Sequence, residues 1–179
     1  MKNLNTGNEF LQSAIKRLKY YKELGDKTFA QLTDNDLHYQ PDAESNSIAV
    51  IIQHMAGNML SRWTDFLTSD GEKEWRNRDV EFEEQNLSRQ QLIAFWEKGW
   101  KCFMDALGSL TEEDLLKTIT IRNEGLSVVD AINRQLAHYP YHVGQIIYIG
   151  KMIQKENWHS LSIPKGGSDQ FNRQTNAKN

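Results

Sequence analysis

The sequence predicts an all-α fold, a four-helix bundle with a long loop between its second and third helices. Two observations lead to the bundle. Four long segments repeat apolar residues at about the 3.6-residue period of amphipathic helices. No internal repeat or break in composition divides the chain, so residues 1–179 read as one domain, ordered from about 8 to 172.

The first helix is expected from about Asn5 to Leu32, with Phe10, Leu11, Ile15, Leu18, Tyr21 and Leu24 on one side and Gly25 as a point where it shortens or bends. "LTDNDLHYQPDAES" then reads as a turn, because Pro41 cannot continue a helix. The second helix starts at Ser47, a good N-cap, and ends near residues 69–72, with Ile48, Ile52, Met55, Met59, Trp63 and Phe66 as its stripe. The polar stretch "GEKEWRNRDVEFEEQN" is long enough to suggest a lid or another functional loop. Ser88 caps the third helix, which runs to about Gly108 and buries Leu92, Phe95, Trp96, Phe103 and Leu107. "TITIR" alternates like a short extended segment, with "NEG" as its turn. The fourth helix follows Ser127 and reaches about Lys155; the tail beyond it is rich in Gly, Ser and Asn and is expected to be irregular.

Composition removes several classes of function. The formal net charge of −3 provides no basic field for nucleic acid. The single cysteine, Cys102, rules out an intrachain disulfide framework or a Cys-rich zinc site and reads as a small apolar residue of helix three. No apolar run approaches the ~20 residues that span a bilayer, and "MKNLNTGNEF" lacks the apolar core of a secretory signal. The expectation is a cytoplasmic protein with no membrane and no nucleic-acid partner.

"HYPYH" at 138–142 is the most informative stretch. His138 and His142 are four apart and share a helical face, with Cβ atoms ~5–6 Å apart. Two neutral imidazoles so placed can reach one divalent ion, although a surface or capping pair has the same spacing. Pro140 between them frees the Leu136 carbonyl and bends a helix locally, which either aims the two rings at a common point or is a tolerated kink. His54, in "AVIIQHMAGNML", is the natural third ligand if helices two and four pack side by side, as bundle metal sites are built. The commoner role for an isolated histidine there is a hydrogen-bonded core residue. Asn58 lies one turn further along the same face. His38 and His159 read as surface or packing residues, and "PKGGS" does not fit a phosphate-binding loop. Arg76 and Arg78 are ordinarily solvated charges that would hold an anionic substrate if the long loop folded over the metal.

"IIQHMAGN" on helix two followed by "HYPYHVGQ" on helix four resembles the DinB/YfiT-like superfamily, over about residues 8–172. "LTDNDLHYQP" and the ending "WHSLSIPKGGSDQFN" are similar to that superfamily as well, the latter to an uncharacterised bacterial branch. The resemblance implies a four-helix bundle in which His54 supplies the first metal ligand and His138 and His142 the pair, with Gly144 and Gln145 standing where the superfamily has Gly-Gln. It implies a bound metal and a homodimer; an all-imidazole site suits zinc, nickel, iron or copper, and a divalent zinc or nickel is the expectation. It also implies a mixed choice of function: transferases of low-molecular-weight thiols such as bacillithiol, a mycothiol-dependent isomerase, and stress-associated proteins known only by their bound metal. Three histidines leave a metal with an open position, suited to a substrate thiol or to a hydrolytic water. A thiol transferase, a metal-dependent hydrolase and a non-catalytic metal-binding protein therefore all stand. No general base is evident; Asp130 and Glu97 are candidates by sequence only.

Overall fold

The computed structural model describes residues 5–176; the first four residues of the N-terminal stretch and the last three of the tail lie outside them. Helix α1 (Thr6–Phe29) is capped by the Asn5 side chain and runs through Gly25 without a break, ending three residues before the expected Leu32. The stretch expected as a plain turn contains the one-turn helix α2 (Asp34–Leu37). It is held by a reciprocal capping box in which Thr33 and Asp36 satisfy each other's backbone donors.

Helix α3 (Ile48–Trp63) begins on Ser47 as expected but stops well before residues 69–72. Thr64 takes up extended backbone and Asp65 has φ 49°, so the chain turns away while Phe66 still reaches the core. All residues of α3 except Leu60 are buried, more than the single stripe expected. A helix covered on nearly every side is a central one, and α4 (Arg89–Ser109), α5 (Val128–Gln154) and the loop carrying a short 3-10 turn (Val80–Phe82) cover it. Gly99 permits the close approach of α4: a Cβ there would lie 2.9 Å from the Ala56 Cα. Helix α1 packs along α5. Trp63, Trp96, Trp100, Phe103 and Tyr139 fill the interior between these helices.

The expected extended excursion is a hairpin of β1 (Thr118–Ile121) and β2 (Glu124–Ser127), with Ile121 opposite Glu124. Its turn falls on Arg122 and Asn123 instead of "NEG". Both have positive φ, 55° and 62°, as a two-residue turn between twisted strands requires. Arginine is a poor choice for that conformation, and the Asp70 carboxylate compensates by accepting both backbone N–H groups, each at 2.9 Å. Helix α5 passes through Pro140 as one helix. The tail, expected to be irregular, contains helix α6 (Ser168–Asn176), whose only apolar residue is Phe171 and which therefore leaves no periodic trace in the sequence. No helix among the described residues is long and apolar enough to cross a membrane.

Candidate metal centre

The centre lies where α3 faces α5. Tyr139, fully buried, ties these helices together: its hydroxyl accepts a hydrogen bond from Trp63 Nε1 (3.2 Å) and donates one to Asn58 Oδ1 (3.0 Å). Burial also pushes the Tyr139 hydroxyl pKa upward, so it remains a neutral donor. Asn58 thus shares a helix face with His54, as expected, and also fixes the neighbouring helix.

His54, His138 and His142 come together at their Nε2 atoms. His138 Nε2 lies 3.4 Å from His54 Nε2 and 3.1 Å from His142 Nε2, and the three ligand atoms fall within 4.8 Å of one another. Each Nδ1 faces an acceptor on its other side: Glu81 Oε2 for His54 (3.1 Å), Gln135 Oε1 for His138 (3.2 Å) and Gln145 Oε1 for His142 (2.8 Å). These oxygens accept, so each Nδ1 carries the proton and each Nε2 presents its lone pair to the other two. Three facing lone pairs repel unless a cation lies among them. Nitrogen ligands at ~2.0–2.1 Å from a tetrahedral metal are about 3.4 Å apart, close to the separations found. The donor set therefore fits a divalent metal ion.

A proton is a poor substitute for that cation. Burial, then the neighbouring charges of His142 and His54 and of Arg134 and Arg76, lowers the His138 pKa from 6.5 to about 3. Burial likewise lowers that of His142, against the hydrogen bond to Gln145, which favours protonation. The sign of the resulting pH dependence follows directly. Unfolded His138 takes up a proton near pH 6.5 and folded His138 only near pH 3, so between these values the unfolded chain binds more protons. Metal-free protein is expected to lose stability as pH falls from about 6.5 towards 3. Melting temperature against pH would check this, with His138→Asn showing a shallower slope.

Glu81 anchors the outer shell. Burial alone would raise its pKa, but Arg76 and then His54 hydrogen-bond it and bring it below the usual carboxylate value. Arg76 grips it with two bonds, Nε to Oε1 at 2.7 Å and Nη2 to Oε2 at 2.8 Å. This chain from Arg76 through Glu81 to His54 requires a bare helix surface at Gly57, where an added Cβ would collide with the Glu81 carboxylate. Gly57→Ala is therefore expected to lower metal affinity about tenfold by displacing Glu81. Its melting temperature should fall as well, because alanine's gain of up to ~1 kcal/mol in helix propensity does not offset the disturbance of the buried Arg76–Glu81 pair. A metal titration beside a thermal melt reads both.

Arg76, proposed from sequence as an anion holder, is thus committed to Glu81. Arg78 stacks its guanidinium over the Phe82 ring (5.0 Å to the centroid), and that ring lies 4.6 Å from the His54 ring. Gln145 bonds His142. His38 pairs with Glu84, and His159 is exposed in the tail; neither joins the cluster. Cys102 is half-buried, with Sγ 3.5 Å from Thr64 Oγ1. Glu97 bonds Lys22, Asp130 stands at the start of α5, and neither lines the cleft beside the histidines. Sequence reading missed Glu81, Gln135 and Gly57. Gln135 had a legible signal, lying three residues before His138 as Gln145 lies three after His142. Glu81 had none among the loop's acidic residues.

These features define a class: a helical protein with three histidines gathered between two long helices in an arrangement compatible with a metal site. The chain belongs to a family described as "Protein of unknown function (DUF1572)", whose model matches residues 5–167. No curated protein and no solved structure matches it.

Proposed function

We propose that His54, His138 and His142 hold one divalent ion, zinc or nickel, in a DinB-like four-helix bundle, and that the protein is a metal-dependent enzyme acting on a small molecule. The observation that carries this reading is the convergence of three Nε2 lone pairs whose Nδ1 partners, Glu81, Gln135 and Gln145, fix the tautomers. Three protein ligands and an adjoining cleft match the open layout of catalytic sites; structural zinc is closed by four. Bound there, the ion would supply Lewis acidity and favour deprotonation of a thiol or water at its open position.

The chain's own residues position and enclose. Glu81 and the two glutamines orient the imidazoles, and the Phe82 ring covers one face of His54. Among the described residues the cleft lining contains no carboxylate, thiol or hydroxyl side chain. The nucleophile therefore comes from outside the chain, either as a low-molecular-weight thiol or as water. The transferase reading takes the thiol, supported by the DinB/YfiT resemblance. A homodimer belongs to the same proposal, supported by Tyr141, Tyr148 and Met152, which α5 presents to solvent on one side.

The test is a thermal-shift screen of small thiols against metal-loaded and metal-stripped protein. A thiol that raises the melting temperature only with metal bound supports transfer. Turnover of generic esters or amides without thiol would move the assignment to hydrolysis. Neither response, from protein that does hold metal, would leave a non-catalytic metal-binding protein.

A further inference from the structure

Beside the histidines lies a cleft of about 300 Å³ lined by His54, Asn58, Gln135 and His138 and by five arginines. That volume is at the lower end of small-molecule sites. The arginines come from distant parts of the chain: Arg62 from α3, Arg76 and Arg78 from the long loop, Arg122 from the hairpin turn and Arg134 from α5. Such convergence on a chain of net charge −3 is not a by-product of overall basicity.

The five differ in how they are occupied. Arg62 and Arg122 share Glu72, each at 3.0 Å, and Arg62 also donates to the Gly71 carbonyl. Arg76 is spent on Glu81 except for Nη1, which is buried with no partner. The side chains of Arg78 and Arg134 have no carboxylate within 4.0 Å and no hydrogen bond among the described residues, and that of Arg78 meets only the Phe82 ring. Five guanidiniums against two paired carboxylates, Glu72 and Glu81, leave three positive charges in excess around one small cleft, before any metal adds its own. A low-dielectric cleft lined by one sign of charge concentrates ligands of the other. Guanidinium forks match planar carboxylates and phosphates through paired hydrogen bonds.

We propose that this cleft binds the oxyanion of a small acidic substrate, a carboxylate or phosphate, and that Arg78 and Arg134 are the residues that hold it. Arg134 stands one helical turn before His138, so an anion on it lies beside the histidine cluster. Arg78 approaches from the loop over Phe82 and closes the other side. The paired arginines, Arg62, Arg76 and Arg122, shape the cleft and strengthen its field. The site then selects substrates carrying a negative charge close to the reacting atom. This deepens the metal-enzyme reading by naming the substrate class at the same site.

The test titrates inorganic phosphate and succinate calorimetrically into full-length protein at 0.15 M sodium chloride. Wild type, Arg78→Gln, Arg134→Gln and the double variant are each examined metal-stripped, with metal content after loading measured in parallel. Arg78→Gln gives up its stack over Phe82, but neither variant breaks an ion pair or a side-chain hydrogen bond among the described residues, so both are expected to keep the fold, which thermal melts verify. Saturable binding of at least one probe is expected, weakened about tenfold or more in the double variant, with metal loading unchanged. Phosphate and succinate separate the two oxyanion chemistries. No saturable binding of either probe, or equal binding in the double variant, overturns the proposal even if the protein holds its metal. Arginine-dependent anion binding by a chain that takes no metal would uphold the cleft and remove the metal reading.

Discussion

His142→Ala is expected to leave the protein folded and without its metal, as is His54→Ala. Each imidazole supplies one of three ligand atoms within 4.8 Å, and no other histidine or cysteine among the described residues is close enough to replace it. His38 is engaged with Glu84, His159 is in the tail and Cys102 faces Thr64. Two remaining ligands bind far more weakly than three, so bound metal should fall from about one ion per chain to a trace after dialysis against a mild chelator. The two variants should differ in their effect on metal-free stability. His142 is half-buried and its Nδ1 partner Gln145 can turn to water, so its loss is nearly neutral. His54 is buried and accounts for part of the Glu81 hydrogen bonding, so its removal costs about 1–3 kcal/mol. Elemental analysis and urea unfolding of both variants check these outcomes together.

Arg76→Met is expected to be the most destabilising single change near the site. The Arg76 side chain is 2% exposed and that of Glu81 10%, so removing the guanidinium leaves a buried carboxylate with only His54 to compensate it. Breaking a buried pair in this way costs about 3–5 kcal/mol. Replacing both members, as Arg76→Met with Glu81→Gln, removes the stranded charge, and most of the stability should return. Metal affinity should not return with it: a neutral amide orients His54 less firmly than a carboxylate, and loss of such a partner lowers affinity about 10–100-fold. Urea unfolding should thus show rescue where metal titration shows none, a pattern that separates Glu81's structural role from its role behind the ligand.

The helical periods and capping serines made most of the fold legible, and the three histidines were legible as a set through their spacing and helix assignment. What escaped detection lay in loops and in polar segments. The end of α3 depends on Asp65 adopting positive φ, a choice that no apolar period records. Helix α6 has one apolar residue and so no period at all. Glu81 sits in a loop with several other acidic residues; only the fold shows that it, and not Glu83 or Glu84, turns inward to His54. The arginine cleft was half-legible. Arg76 and Arg78 are close in sequence, whereas Arg62, Arg122 and Arg134 reach the same space only through tertiary packing.

X-ray absorption at the metal edge, on protein purified without an affinity tag and accompanied by elemental analysis, tests the three-histidine centre most directly. The expected result is about one zinc or nickel per chain with three imidazole nitrogens at ~2.0–2.1 Å, the remaining coordination filled by light atoms from solvent. A protein that cannot be loaded with either metal, or a spectrum with sulfur in the coordination shell of protein prepared without added thiol, would contradict it.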